Sequence, residues 1–337
     1  MKNRLFLLGI AVAALSSCSN EELTDVAQNR AIKFNPFVNN NTKAVTELNT
    51  KGLSSFYVFG NFKTTNGSDN YEGNKIFNNE KQDTPYYWVT GKTYIFGAYA
   101  DGDGGNLPNA SFSAQNKTLT FPSYTPNDTK DLVAAISEEV SCTNATSQSK
   151  VNLSFKHMLS QVKFTFKTTD AESYTLKISE LKLHAAKTGT GTYDLTNGAK
   201  WDLGEYAAST TDTDNQYTYN EVSDVSSASY TPQSKLVIPQ SGTDKLSVTF
   251  KAKISGHGLE KEATFKATLG VNENIAGSSS AANTWIPGYR YNYTATINGD
   301  DIDPSLEQQK IEFTPTVSDW LNTNPAETET TPQKQNP

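Results

Sequence analysis

Short runs of alternating apolar and polar residues, separated by turn formers, dominate this chain, and apolar spacing of helical period is almost absent. Successive side chains of a strand point to opposite faces, so the alternation predicts strands. In the first half they fall at 32–38, 54–62, 86–89, 94–99, 131–136, 151–155 and 158–167, with 86–89 and 94–99 paired around Gly91 and Lys92. In the second half come 174–184, a hairpin at 189–201 turning on Asn197 and Gly198, and a short buried strand at 236–240. Strands 246–254 and 263–269 are joined through Gly256, His257 and Gly258, and at 289–297 Tyr289, Tyr291, Tyr293, Ala295 and Ile297 share one face. Residues 212–229 read as a long polar insertion and 298–304 as a loop. Many short strands between turn signals make an all-β protein of the sandwich kind.

Two of these stretches echo each other. Ile32, Phe34, Pro36 and Val38 recur as Ile311, Phe313, Pro315 and Val317, at the same spacing. At alternate positions all four side chains of each copy share a face and present one apolar profile. A proline suits an edge strand, where one ladder donor is not needed. Two such strands can occupy one groove in turn: the N-terminal copy plugs a subunit before assembly, and the C-terminal copy of a neighbour replaces it.

The first residues read as a targeting segment. Lys2 and Arg4 precede an apolar run, Leu5 to Leu15, too short to span a bilayer, which ends in Leu15, Ser16, Ser17 and Cys18. This resembles a bacterial lipobox, in which the cysteine becomes the lipidated N-terminus after cleavage; the resemblance implies lipidation at Cys18, with acyl chains anchoring the protein in membrane lipid. Glu21 and Glu22 follow as an acidic patch that resembles the surface-export signal of some outer-membrane lipoproteins. With Cys18 acylated, Cys142 stands alone, a quiet and partly buried thiol, and no intramolecular disulfide is possible.

Length allows two domains, each able to bury a core. The expected divisions are a signal at 1–17, a lipidated leader with removable strand at 18–43, sandwich domains at 44–168 and 169–320, and a polar tail at 321–337. The net charge is −7, and removing Lys2 and Arg4 with the signal takes it to −9, which argues against a nucleic-acid partner. The polar loop after Val38 contains Lys43 and Ala44, a bond open to a trypsin-like protease; Arg30 and Ala31 form a second choice. Cleavage after Lys43 would release the plug, whereas cleavage after Arg30 would free only the anchor.

Enzyme chemistry finds little foothold. No Gly-x-Ser-x-Gly, phosphate-binding loop or His-Glu-x-x-His is present, and neither metal nor cofactor is expected. His157, His184 and His257 are scattered, Asp300, Asp301 and Asp303 sit in a loop, and the 101–106 turn lacks calcium-loop spacing. A different reading makes the protein a surface glycan-binding lipoprotein, with Tyr86, Tyr87, Trp88, Tyr217 or Tyr219 stacking on sugars. Its weakness is the second copy of the first strand, for which a glycan binder has no use.

The lipidation segment, Thr42-Lys43-Ala44, the 56–59 strand, the run Phe155 to Val162, Leu236 to Gln240, Trp285 to Tyr293 and the closing Val317 and Trp320 occur in an order that resembles the fimbrillin family, the Mfa-like branch of type V pilins. The resemblance implies two transthyretin-like β-sandwich domains in tandem and export as an outer-membrane lipoprotein. It also implies proteolytic removal of the N-terminal strand, then filling of its groove by the C-terminal strand of the next subunit. Partners would be other copies or other fimbrial subunits, a maturation protease and a surface receptor of unspecified kind. Tip and anchor roles are open within the family. Members usually carry arginine at the cut, so Lys43 is a departure.

Overall fold

The computed structural model describes residues 30–38, 53–65, 70–71, 73–102, 104–169, 174–204, 214–225, 234–241, 246–270, 284–306 and 309–319. Cys18, Lys43 and Ala44 lie outside them. The elements are strands, with one 3-10 turn noted at Gly299–Asp301. The first nine strands are β1 (Phe34–Val38), β2 (Tyr57–Thr64), β3 (Lys75–Lys81), β4 (Lys92–Asp101), β5 (Ser111–Ser113), β6 (Thr118–Tyr124), β7 (Leu132–Ile136), β8 (Val140–Cys142) and β9 (Val151–His157). There follow β10 (Ser160–Lys167), β11 (Thr175–His184), β12 (Gly189–Asp194), β13 (Gly198–Asp202), β14 (Gln216–Thr218), β15 (Val222–Val225) and β16 (Lys235–Val237). The last are β17 (Ser247–Gly256), β18 (Leu259–Thr268), β19 (Tyr289–Thr296), β20 (Gln309–Lys310) and β21 (Thr314–Asp319).

They form four sheets. The largest runs β1-β9-β7-β4-β2-β3, with β8 also on β4, and a second runs β13-β12-β6-β5. The other two run β16-β10-β19-β21 and β14-β11-β17-β18-β20, with β15 also on β11. β4 shows why the first sheet is central. Its residues are buried on both faces: Ile95 and Tyr99 enter one apolar cluster, and Tyr94, Phe96, Ala98 and Ala100 enter another. Gly97 lies where a Cβ would come within 2.7 Å of the Phe112 ring, so only glycine lets the two sheets meet there.

One core thus lies between the first sheet and the β6–β12 sheet, joining Ile95, Tyr99, Leu119, Phe121 and Tyr193. A second core, around Phe164, Phe166, Leu183, Phe250, Trp285 and Tyr293, fills the space between the other two sheets. The third lies on the opposite face of the first sheet, which curls over it. β1 and β3 end the strand order, yet the rings of Phe34 and Phe77 are 5.5 Å apart across this cluster.

Several expectations meet different pairings. Residues 86–88 do not pair with 94–99; Ala31 bridges Tyr87, and the 92–101 strand pairs with β2 and β7. The 158–167 run, expected to close the first domain, pairs with β16 and β19, while the hairpin expected in the second domain hydrogen-bonds to β6. The cause is local: Met158 and Leu159 are adjacent and both fully buried, which breaks the alternation and turns the chain into another sheet. The 212–229 insertion contains β14 and β15, pinned to β11 by buried Tyr217, Tyr219 and Val225.

Candidate functional site

The N-terminal strand enters the fold as an edge. Ile32, Phe34, Pro36 and Val38 point inward, with Ile32 4% and Val38 7% exposed, while Lys33, Asn35 and Phe37 face out. Phe34 meets Phe56, Phe77 and Phe96 edge-on at centroid distances of 6.0, 5.5 and 5.4 Å. Such arrangements align ring edges with ring faces and add to the apolar burial. Phe155 of β9 and the fully buried Trp88 complete this aromatic bed. Each inward residue contributes roughly 1.5–3 kcal/mol when fully removed from water, and Phe34, half-buried, somewhat less.

Two backbone zippers hold the segment. Toward its start, Ile32 N–H donates to the Tyr86 carbonyl and Trp88 N–H to the Arg30 carbonyl, both at 2.8 Å. Arg30 Nη2 donates to the Trp88 carbonyl at 3.1 Å. From Lys33 onward the strand turns its bonds to β9: Val151 N–H donates to the Lys33 carbonyl at 2.8 Å, and the register runs parallel from Phe34 opposite Val151 to Val38 opposite Phe155. Backbone groups alternate sides along a strand, so Asn35 and Phe37 face β9 and Pro36 faces the open edge, where its missing N–H costs nothing. On the outer face Asn35 Nδ2 donates to Asn152 Oδ1 at 2.9 Å and marks the register.

The electrostatics of the bed are those of an apolar interior. Cys142, expected to be partly buried, is 1% exposed within the same cluster; burial raises its thiol pKa, and nearby Arg30 pulls it partly back. Burial likewise raises Tyr94, whose hydroxyl accepts the Val89 N–H at 2.9 Å.

The C-terminal copy is also seated, in its own chain. Gln309 pairs with Phe265 of β18, Ile311 and Phe313 pack against the second core, and β21 then pairs antiparallel with β19. Phe313 meets Phe164, Phe166 and Phe250 at 5.6, 5.9 and 6.1 Å. Pro315 stands opposite Tyr293, and Val317 opposite Tyr291, on the edge strand of that sheet. The two copies therefore share sequence and edge position, but one lies parallel to its neighbour and the other antiparallel.

The remaining candidates are structural. Trp88, Tyr217 and Tyr219 are 1%, 3% and 3% exposed, and Tyr86, partly buried, packs on Phe77, so of the proposed sugar platform Tyr87 alone is exposed. Aromatic side chains buried for packing cannot stack on a ligand. His157 Nδ1 lies 2.6 Å from Asp131 Oδ2, and His184 Nε2 lies 2.8 Å from Thr249 Oγ1. Among the described residues no three His, Cys, Asp or Glu side chains are grouped to hold a metal. The Tyr86–Trp88 zipper was missed by sequence reasoning, because its partner lies more than fifty residues away in the chain.

Residues 30–320 match a family model described as fimbrillin-like. No curated protein matches the chain in sequence. Among solved structures, a fimbrial protein from Bacteroides vulgatus is similar at 18% identity and a TM-score of 0.53, covering 86% of this chain and 99% of that one. The fimbrial anchor protein Mfa2 from Porphyromonas gingivalis aligns at 10% identity and a TM-score of 0.34, over 86% of this chain and 97% of its own.

Proposed function

Because the chain belongs to the fimbrillin-like family, whose members are structural proteins of the cell-surface fimbrium and not enzymes, we propose that it is a fimbrial subunit assembled by strand replacement. In this reading Cys18 carries the lipid that holds the precursor at the outer membrane. A protease cuts after Lys43, before Ala44, and the strand bearing Ile32, Phe34, Pro36 and Val38 is lost. The vacated slot takes Ile311, Phe313, Pro315 and Val317 of another copy, or of another fimbrial subunit. Tandem transthyretin-like sandwiches belong to the same reading, supported by two sets of facing sheets, each around its own core, with β10 joining the second set and the β12–β13 hairpin the first, across the 168–169 division expected from the sequence.

One observation carries it: an edge strand covers an aromatic bed, and its four inward residues are those repeated near the carboxyl end. An uncovered bed beside an open edge of β9 would be an aggregation hazard, and a strand added by β-augmentation removes it. Repeated from head to tail, the contact does not close and builds a filament. The alternative cut after Arg30 is less suited, since the Arg30 carbonyl and side chain are both bonded to Trp88.

A second reading within the family is favoured by one feature. Ile311 and Phe313 pack against the chain's own second core, as they would in a tip that need not donate. Limited trypsin treatment separates the two. A stalk subunit is cut after Lys43 and gives a ladder of SDS-resistant multimers. A chain cut there that stays monomeric is a terminal subunit.

A further inference from the structure

The seating of the N-terminal segment has a direction. Its first three residues, Arg30 to Ile32, pair with Tyr86–Trp88, while the rest pair with β9 on the other side. The Arg30 end carries a clamp of its own: two backbone bonds to this short strand, the guanidinium on the Trp88 carbonyl, and Ile32, the most buried residue of the segment. The Val38 end is held by its pairing with β9 and by the buried Val38 side chain, and it is the end nearest the loop whose cleavage frees it. Cutting the loop removes a covalent link and none of these contacts.

We propose that cleavage leaves the N-terminal strand seated, and that an incoming strand displaces it progressively, entering at the Val38–Phe155 end, with the Arg30–Trp88 clamp the last to let go. This deepens the reading above by adding a regulated step to the same slot: the cut subunit is a plugged monomer that opens only to an invading strand. An invader in the plug's register lies parallel to β9, so the residue taking the place of Val38 arrives first. For the carboxyl-end copy that residue is Val317. Arg30 is then a positioning residue that sets the rate of the last step, and cleavage beside it would remove the clamp that makes release ordered.

The experiment uses the mature chain with a site-specific protease sequence in place of residues 39–43, so that it does not depend on whether Lys43 is the natural cut. It also carries Cys18→Ser, leaving Cys142 as the one thiol. After cutting, the N-terminal fragment should co-elute with the body on size exclusion, and Cys142, buried in the same apolar cluster, should stay unreactive toward a thiol probe. A fluorescent copy of residues 30–43 should then exchange into the slot and expose Cys142 only transiently. A peptide of residues 33–43 should engage at the full rate, and one of residues 30–35 should not engage. Arg30→Ala should speed fragment release about tenfold, the effect of losing one hydrogen bond from a charged donor. Arg30→Lys, which keeps a cation near that carbonyl, should restore most of the slow rate. Loss of the fragment on cutting, or equal engagement by the two short peptides, would overturn the proposal. Failure of a 309–320 peptide to enter a slot that the 30–43 peptide does enter would count against the donor assignment instead, leaving the ordered release intact.

Discussion

Phe34 and Phe37 stand on one short strand with opposite surroundings. Phe34 is in contact with three rings of the bed, while Phe37 is 43% exposed on the outer face. Removing a ring from a packed site costs its transfer energy plus the cavity it leaves, whereas an exposed ring loses little of either. Phe34→Ala should therefore destabilise the uncut protein by about 2–3 kcal/mol, below the cost at a fully buried site because the ring is only half-buried. Phe37→Ala should fall within about 0.5 kcal/mol. The urea midpoint of the first unfolding transition measures both, and equal effects would mean that β1 does not use this face. The inward set was legible in the sequence because alternation alone assigns it. Trp88 was not: one tryptophan in a Tyr-Tyr-Trp run looks the same as a sugar platform or as core, and only the curl of the first sheet decides.

At the level of strands, register is the property that matters, since a shift of one residue would turn Lys33, Asn35 and Phe37 inward. Asn35 and Asn152 sit side by side on the outer face, their side chains bonded at 2.9 Å. In the repeat, Thr314 holds the place of Asn35. If the donor adopts the plug's register, Asn152→Cys on one copy and Thr314→Cys on the next come within disulfide reach, since paired Cα atoms of adjacent strands lie about 5 Å apart. A chain carrying both substitutions should form intermolecular disulfides after proteolysis and not before. A pair displaced by one place, Asn152→Cys with Pro315→Cys, should not, because that side chain points to the other face. Disulfides from the displaced pair alone would show a slipped donor. Strand positions were largely readable, as at 174–184, 246–254 and 289–297, where local alternation is clean. Pairings were not. β1 with β9, and β10 with β19, lie parallel and more than a hundred residues apart in the chain, and no local pattern encodes which edge receives which strand.

At the scale of the whole molecule, the described residues divide the apolar interior into three clusters, and tyrosines are buried in each: Tyr94 in the cluster that takes β1, Tyr99, Tyr124 and Tyr193 in the first-half core, and Tyr219, Tyr291 and Tyr293 in the second. That division could not be read from the chain, because the two halves trade elements: β10 leaves the first-half sheets and the β12–β13 hairpin joins them. Its consequence is a shared alkaline limit. Burial lifts all of these phenols, Tyr99 to about 12 from 10.0, and its hydroxyl is further engaged with Asn79, Asn106 and Leu107. The unfolded chain gives up these protons near pH 10, whereas the folded chain retains that of Tyr99 to about 12. Between those values the unfolded state binds fewer protons, so stability is full below about pH 10 and falls as pH rises toward 12. Because the groups sit in every cluster, both halves should weaken together, and alkali should not release the N-terminal strand from an otherwise intact protein. Urea midpoints for the two halves, followed from about pH 8 to 11 with tyrosine absorbance recorded in parallel, test this. Loss of the N-terminal strand at a pH where the second half keeps its full stability would show that the slot carries an alkaline weakness of its own, in Tyr94 and the Cys142 thiol beside it.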